Sequence, residues 1–253
     1  MNYGIILVNL AVFLWMLSLS NDIPASDTQA VNDFNGQTNG VCYQLETAPT
    51  ALDRFACTWA FQPKEFFDNL AGHTDVPRPD RPAIGISIIT ALFLHAGWLH
   101  ILGNMLFLWV FGDNVEDRLG HAGYLVFYLL AGIVAMLVQG MLDVNSAVPV
   151  LGASGAVAGV LGAYFVYYPR ATVKVVIPFF ILILIPLPVP AFVMIGLWFL
   201  QNLLSGFASI SNVATPDTGV AFFAHIGGFI FGVLSAGLFL RRVGRRPAPR
   251  RAG

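Results

Sequence analysis

Ser154 and His225 are the two residues whose types and surroundings point most directly to chemistry. Ser154 stands in Gly152-Ala153-Ser154-Gly155 at the head of an apolar segment, and His225 lies one to two turns into the last apolar segment. A serine hydroxyl is a weak nucleophile until a base takes its proton, and histidine is the usual base. At a helix N-terminus Ser154 would have free backbone N–H groups and the positive end of the helix dipole beside it, which suits a developing oxyanion. In His100-Ile101-Leu102-Gly103-Asn104 the i, i+4 spacing puts two further donors, His100 and Asn104, on one helical face. No Asp or Glu falls inside an apolar segment: Asp143 and Asp217 are expected in outer loops, and Asp113, Glu116 and Asp117 in an inner one. A Ser-His dyad is therefore the economical reading, without an acidic third member. Cys42 and Cys57 with distant histidines do not make a zinc pattern.

The elements that must position these groups are read from composition. Of 253 residues, 57% are hydrophobic and 11% charged, against about 25% charged in a soluble domain. Apolar runs of about 17–20 residues favour several bilayer spans over a water-soluble core. The spacing predicts six: residues 3–19, 94–112, 123–142, a short fourth at 152–168, 191–207 and 221–240. Met1–Leu19 lacks the basic start of a signal peptide and is expected to remain as a span.

Nine of the thirteen Lys and Arg (Arg118, Arg170, Lys174 and six arginines of the tail 241–253) fall on one side of these spans. That side is expected to be cytoplasmic and to hold both termini. The predicted domain is a single membrane unit, 1–240, with a basic tail, 241–253, that anchors topology and favours anionic lipid. The long first loop, 20–93, carries nine acidic residues against Arg54, Lys64, Arg78 and Arg81. It is expected outside, where Cys42 and Cys57 could form a disulfide. Residues 55–70 read as an amphipathic segment at the interface, and 76–82 as a proline-stiffened linker. The proline-rich stretch 173–190 forbids one continuous helix and reads as an interfacial or re-entrant connection. There is no internal repeat.

Depth connects the polar groups. Asn104, Ser154 and His225 lie 14, 16 and 16 residues from Arg118, Arg170 and Arg241. At about 1.5 Å per residue each sits roughly 21–24 Å above the inner boundary, or roughly 6–9 Å below the outer surface of a core about 30 Å thick. Buried polar groups in lipid are costly unless they are partnered or used. Each also has a plainer reading. A serine beside glycine is more often a packing feature, Asn104 could only cross-link helices, and His95 and His121 at span ends are expected to be solvated or interfacial. Gly155-x-x-x-Gly159 and Gly228-x-x-x-Gly232 are small-residue faces that predict contact between spans four and six. The nucleophile-elbow pattern fails, because Ala156 occupies its last glycine position.

Four stretches carry a resemblance. They are His95-Ala-Gly-Trp-Leu-His100-Ile-Leu-Gly-Asn104-Met, Gly112-Asp-Asn-Val-Glu116-Asp-Arg118-Leu-Gly120, Gly152-Ala-Ser154-Gly155-Ala-Val-Ala-Gly159 and Ala224-His225-Ile-Gly-Gly228-Phe-Ile-Phe-Gly232. In this order, on successive helices, they resemble bacterial rhomboid intramembrane serine proteases over essentially the full chain. The resemblance implies an all-α, six-transmembrane-helix bundle with Ser154 as nucleophile and His225 as base. It further implies an oxyanion hole of His100, Asn104 and the Ser154 N–H. Cofactor-free cleavage of single-span membrane proteins near the outer face follows, the lipid bilayer being the other partner, with no nucleic acid and no metal. The alternative is a proteolytically inactive relative that binds membrane clients. Two positions depart from the pattern. Ile86 and Ser87 stand where many members carry Trp-Arg. Ala158 stands where an aromatic often supports the histidine ring, leaving Phe222, Phe223 or some other support for that role.

Overall fold

Residues 1–19, 32, 50–72, 84–179, 183–210 and 220–243 are described by the computed structural model. In chain order the helices are α1 (Asn2–Leu19), α2 (Ala51–Trp59), α3 (Pro63–Leu70), α4 (Ile84–Thr90) and α5 (Trp98–Phe107). They continue with α6 (Asp113–Leu119), α7 (His121–Leu142), α8 (Ser154–Tyr167), α9 (Ala191–Ile210) and α10 (Phe222–Val243). A two-stranded sheet, β1 (Thr172–Phe179) and β2 (Ile183–Pro190), joins α8 to α9.

Among the described residues three helices, α1, α7 and α9, are long and apolar enough to cross a membrane. Gly85–Phe93 and Trp98–Leu119 form a pair bent by 88°, and Ser154–Tyr167 and Phe222–Leu238 are shorter apolar helices. The chain is a multi-pass helical membrane protein. Large side chains on the outer faces stay exposed, among them Leu7, Leu102, Trp109, Leu130, Leu204 and Leu234. An apolar belt of that extent faces lipid, not water.

α8 is the central post. Gly155–Tyr164 is buried at every position, mostly as Gly, Ala and Val, so neighbours can close on it from all sides. At 14 residues it is about 21 Å long, short of a hydrocarbon core of about 30 Å. Its first residue, Ser154, therefore starts inside the apolar layer when its other end reaches the boundary. The contact with α10 is backbone on backbone. A Cβ on Gly228 would fall 2.0 Å from the Gly155 carbonyl oxygen, and one on Gly232 would fall 2.0 Å from that of Gly159. Gly162 repeats the pattern one turn further on, against the Phe229 oxygen at 2.3 Å. On its other flank Gly155 and Gly159 meet the methyls of Ala135 and Ala131 of α7.

Helices α2 and α3, within the long first loop, cap the Ser154 end of the bundle. Thr50 and Asp53 form a reciprocal capping box that starts α2. Phe61 and Val150 exchange backbone hydrogen bonds of 3.1 and 2.7 Å, and Lys64 N–H donates to the Ser146 oxygen at 3.0 Å. Cys57 is buried and disulfide-bonded. Cys42, most of the Ser20–Thr50 stretch, the 76–82 linker and the tail beyond Val243 lie outside the described residues.

One local expectation is corrected. The second apolar segment does not end at Gly112. It passes through a π-helical turn, Leu108–Gly112, into α6, so Asp113, Glu116 and Asp117 are helical and not in a loop. Asn2 makes this possible by satisfying groups that the wider turn leaves over. Its Nδ2 donates to the Leu108 oxygen at 2.9 Å and to Asp113 at 2.8 Å, its N–H donates to Glu116 at 2.7 Å, and its Oδ1 accepts from Tyr124 at 2.8 Å. The connection before α9 is a β-hairpin. Thr172 pairs with Pro190, Lys174 with Pro188, Val176 with Pro186 and Pro178 with Leu184. All four prolines thus share one alternate set of pairs. Proline has no N–H, so that set must be the non-hydrogen-bonded one, and the ladder survives.

Candidate active site

Ser154 opens α8, with Ala153 at the cap position and Gly152 before it. Gly152 has φ +122°, a conformation side chains resist, and its N–H donates to the Ala91 oxygen at 2.8 Å. A Cβ there would fall 2.6 Å from Cε1 and 2.7 Å from Nε2 of His100, and 3.8 Å from Ser154 Oγ. The glycine therefore serves twice: it permits the turn into the helix, and it lets the His100 ring lie against the loop beside the serine. Asn104, one turn further along α5, is 7% exposed, and its Nδ2 has no hydrogen-bond partner among the described residues. A buried, unused amide donor is costly unless something takes the hydrogen bond during function.

The glycine seam places His225. Gly155 follows Ser154, Ala224 precedes His225, and a Cβ on Gly155 would lie 3.6 Å from the Ala224 oxygen. Gln139 of α7 fixes the start of α10 by accepting from the Ala224 N–H at 3.2 Å. Both Ser154 and His225 are partly exposed, within a wall of buried residues. No hydrogen bond joins them among the described residues; such contacts are commonly long in unliganded sites and tighten with substrate. His225 is held from α9 instead. Its Nδ1 lies 2.6 Å from Asn202 Oδ1, and the Trp198 ring centroid is 5.7 Å from the imidazole, tilted by 35°.

His95 corrects another expectation. It is 1% exposed, not solvated, and its ring packs edge-on against His100 with centroids 5.0 Å apart. The sharp bend between α4 and α5 folds this stretch back under the loops, so a span-end position is not a wet one here. His121 is exposed at 84% of its side chain and pairs with Glu116 at the opposite end of the bundle.

Sequence reasoning singled out neither Asn202 nor Trp198 as a site residue. The signal was present: Trp198 and Asn202 are i, i+4 partners, and an amide within a span is an intramembrane polar group needing a partner. The equally polar Gln201 beside it is exposed, and sequence alone does not say which of the two faces inward.

The rhomboid domain family model matches residues 84–242. The chain belongs to the rhomboid family. Over 59% of its length it is 31% identical to the mitochondrial rhomboid protein 1 of Saccharomyces cerevisiae, covering 40% of that protein. It is 34% identical to the rhomboid protease GluP of Bacillus subtilis over 59% of its length and 25% of the relative. A shorter match, 45% identical over 28% of the chain, is to the chloroplastic rhomboid-like protein 11 of Arabidopsis thaliana, a quarter of which is covered. The chain thus spans less than half the length of these curated relatives. The matched rhomboid domain contains His100, Asn104, Ser154, Asn202 and His225, and leaves out α1, α2 and α3.

Proposed function

We propose that this rhomboid is an intramembrane serine endopeptidase that cleaves transmembrane segments of single-span proteins with a Ser154–His225 dyad. The observation that carries the reading is the convergence at the head of α8. Ser154 sits between His100, seated against Gly152, and the α10 turn that bears His225, with the unpartnered Asn104 donor nearby.

In this mechanism His225 takes the proton from Ser154 Oγ as the oxygen attacks the scissile carbonyl carbon. The negative charge that develops on the carbonyl oxygen is met by the Ser154 N–H, Asn104 Nδ2 and His100. Collapse breaks the C–N bond, His225 returns the proton to the leaving amine, and a water activated by the same histidine hydrolyses the acyl-serine. Water must come from the α2–α3 end, where α8 begins, because α8 is buried from Gly155 to Tyr164. Substrate would enter laterally past α9. Its preferred segments carry small or helix-breaking residues at the cut, since the scissile backbone must give up its own helix hydrogen bonds.

Counting α1, the α5–α6 helix, α7, α8, α9 and α10 as six spans puts both termini on one side. The basic residues assign that side to the cytoplasm of a cell membrane. The purified protein is expected to cleave a tagged single-span protein, and Ser154→Ala to leave it intact. Cleavage by Ser154→Ala at the wild-type rate would refute the dyad.

A further inference from the structure

The family pattern supports the histidine with an aromatic at the position of Ala158, and a Ser-His dyad by itself names no partner for the histidine's far nitrogen. The structure supplies one. Of the 20 residues of α9, four are buried: Ala191, Ile195, Asn202 and Gly206. Three are apolar or small, and the fourth is an amide. Asn202 is 6% exposed, and its two polar atoms have different partners. Nδ2 donates to the Trp198 oxygen at 2.8 Å, while Oδ1 faces His225 Nδ1 at 2.6 Å.

These partners fix the protons. A backbone carbonyl only accepts, so the atom facing Trp198 must be the NH₂ group and the atom facing His225 must be the carbonyl oxygen. An amide oxygen cannot donate, so His225 Nδ1 must carry the hydrogen. Nε2 is then left with its lone pair free. We infer that Asn202 is the positioning residue of the active site: by accepting from His225 Nδ1 it selects the tautomer whose Nε2 can take the Ser154 proton, and it sets the ring's direction. This rests on the Ser154–His225 reading and turns the dyad into a Ser-His-Asn arrangement whose third member comes from α9. Trp198, packed between His225 and Phe229, limits how far the ring can tilt. Because α9 is also the wall past which substrate enters, outward movement of α9 would lengthen the Asn202 bond. The base would then be aligned only after α9 returns.

The test uses the full chain in detergent or liposomes, with Asn202→Leu and Asn202→Asp. Leucine removes the acceptor and keeps an apolar helix face; aspartate keeps an acceptor oxygen and loses the donor to Trp198. Asn202→Leu is expected to lower kcat on a tagged single-span substrate by about 10²-fold with KM changed by less than about threefold, as loss of an orienting group does. Asn202→Asp is expected to recover kcat to within about tenfold of wild type by the same logic. A purely packing role would instead move thermal unfolding in both variants together and leave kcat alone. The ¹⁵N resonances of His225, assigned by comparison with His225→Gln, read the tautomer without any substrate. A protonated Nδ1 in the wild type, lost or mixed in Asn202→Leu, is the expected result. An unprotonated Nδ1 in the wild type, the same tautomer in wild type and Asn202→Leu, or an unchanged kcat in Asn202→Leu would overturn the inference. Failure of the wild type to cleave more than Ser154→Ala would refute the protease reading, and the tautomer measurement would still decide the role of Asn202.

Discussion

At the scale of residues, the site is a set of polar atoms that lipid-embedded helices would otherwise exclude. Each has a different reason for being tolerated. Asn104 holds a donor with no partner among the described residues, so its use is expected to appear in the rate. Asn104→Ala should lower kcat by about 10²-fold with little change in thermal unfolding, read by progress curves and by melting in detergent. A change confined to apparent KM would reassign it to packing. Gly152→Ala is expected to inactivate by a different route, because its methyl would meet the His100 ring at 2.6 Å on a backbone with φ +122°. Removing the His100 ring relieves the clash but not the strained backbone, so Gly152→Ala should cost less in a His100→Ala background than in the wild type, without becoming neutral. The chemistry at this scale was partly legible. Ser154, His100, Asn104 and His225 announce themselves as polar types in apolar runs. Asn202 and His95 did not, because their meaning depends on which way a helix face or a loop turns, and hydropathy carries no such information.

At the scale of elements, the glycine seam is the decisive feature. Gly155, Gly159, Gly228 and Gly232 bring α8 and α10 so close that any Cβ on Gly228 or Gly232 would strike backbone, which cannot move aside as a flexible side chain can. Gly232→Val should therefore destabilise the protein by at least about 1–3 kcal/mol and abolish activity indirectly. Gly196→Val, on α9 where no atom lies within 4 Å of the added Cβ, should melt like the wild type. Equal melting temperatures for Gly232→Val and Gly196→Val would show that the seam is not what holds α8 on α10. Small-xxx-small spacing made this contact readable from the sequence. The π turn and the β-hairpin were not readable. The first depends on Asn2, more than a hundred residues from the carbonyl it satisfies. The second depends on prolines that break helix propensity yet, at one strand parity, do no harm to a ladder.

At the scale of the whole molecule, the short α8 sets the account's geometry. A 14-residue post surrounded by longer helices places its N-terminus inside the apolar layer, and the first-loop helices α2 and α3 cover that end. Ser154→Cys, in a background lacking Cys42 and Cys57, should react with a membrane-impermeant thiol reagent supplied from the outer side. Reaction from the cytoplasmic side alone would overturn topology and water path together. The helical membrane fold was legible because apolar runs dominate it, but the second segment runs on through the π turn to Leu119 instead of ending at Gly112. The 88° bend before α5 was not legible, since no charge or hydropathy step marks it. The most direct test of the central claim is cleavage within the bilayer itself. Wild-type protein and Ser154→Ala are reconstituted separately with a tagged single-span substrate, and the product ends are located by mass spectrometry. The account predicts a single cut, made by the wild type alone, within the outer third of the substrate's apolar segment. An identical cut made by Ser154→Ala, or one in the inner half of the segment, would contradict it.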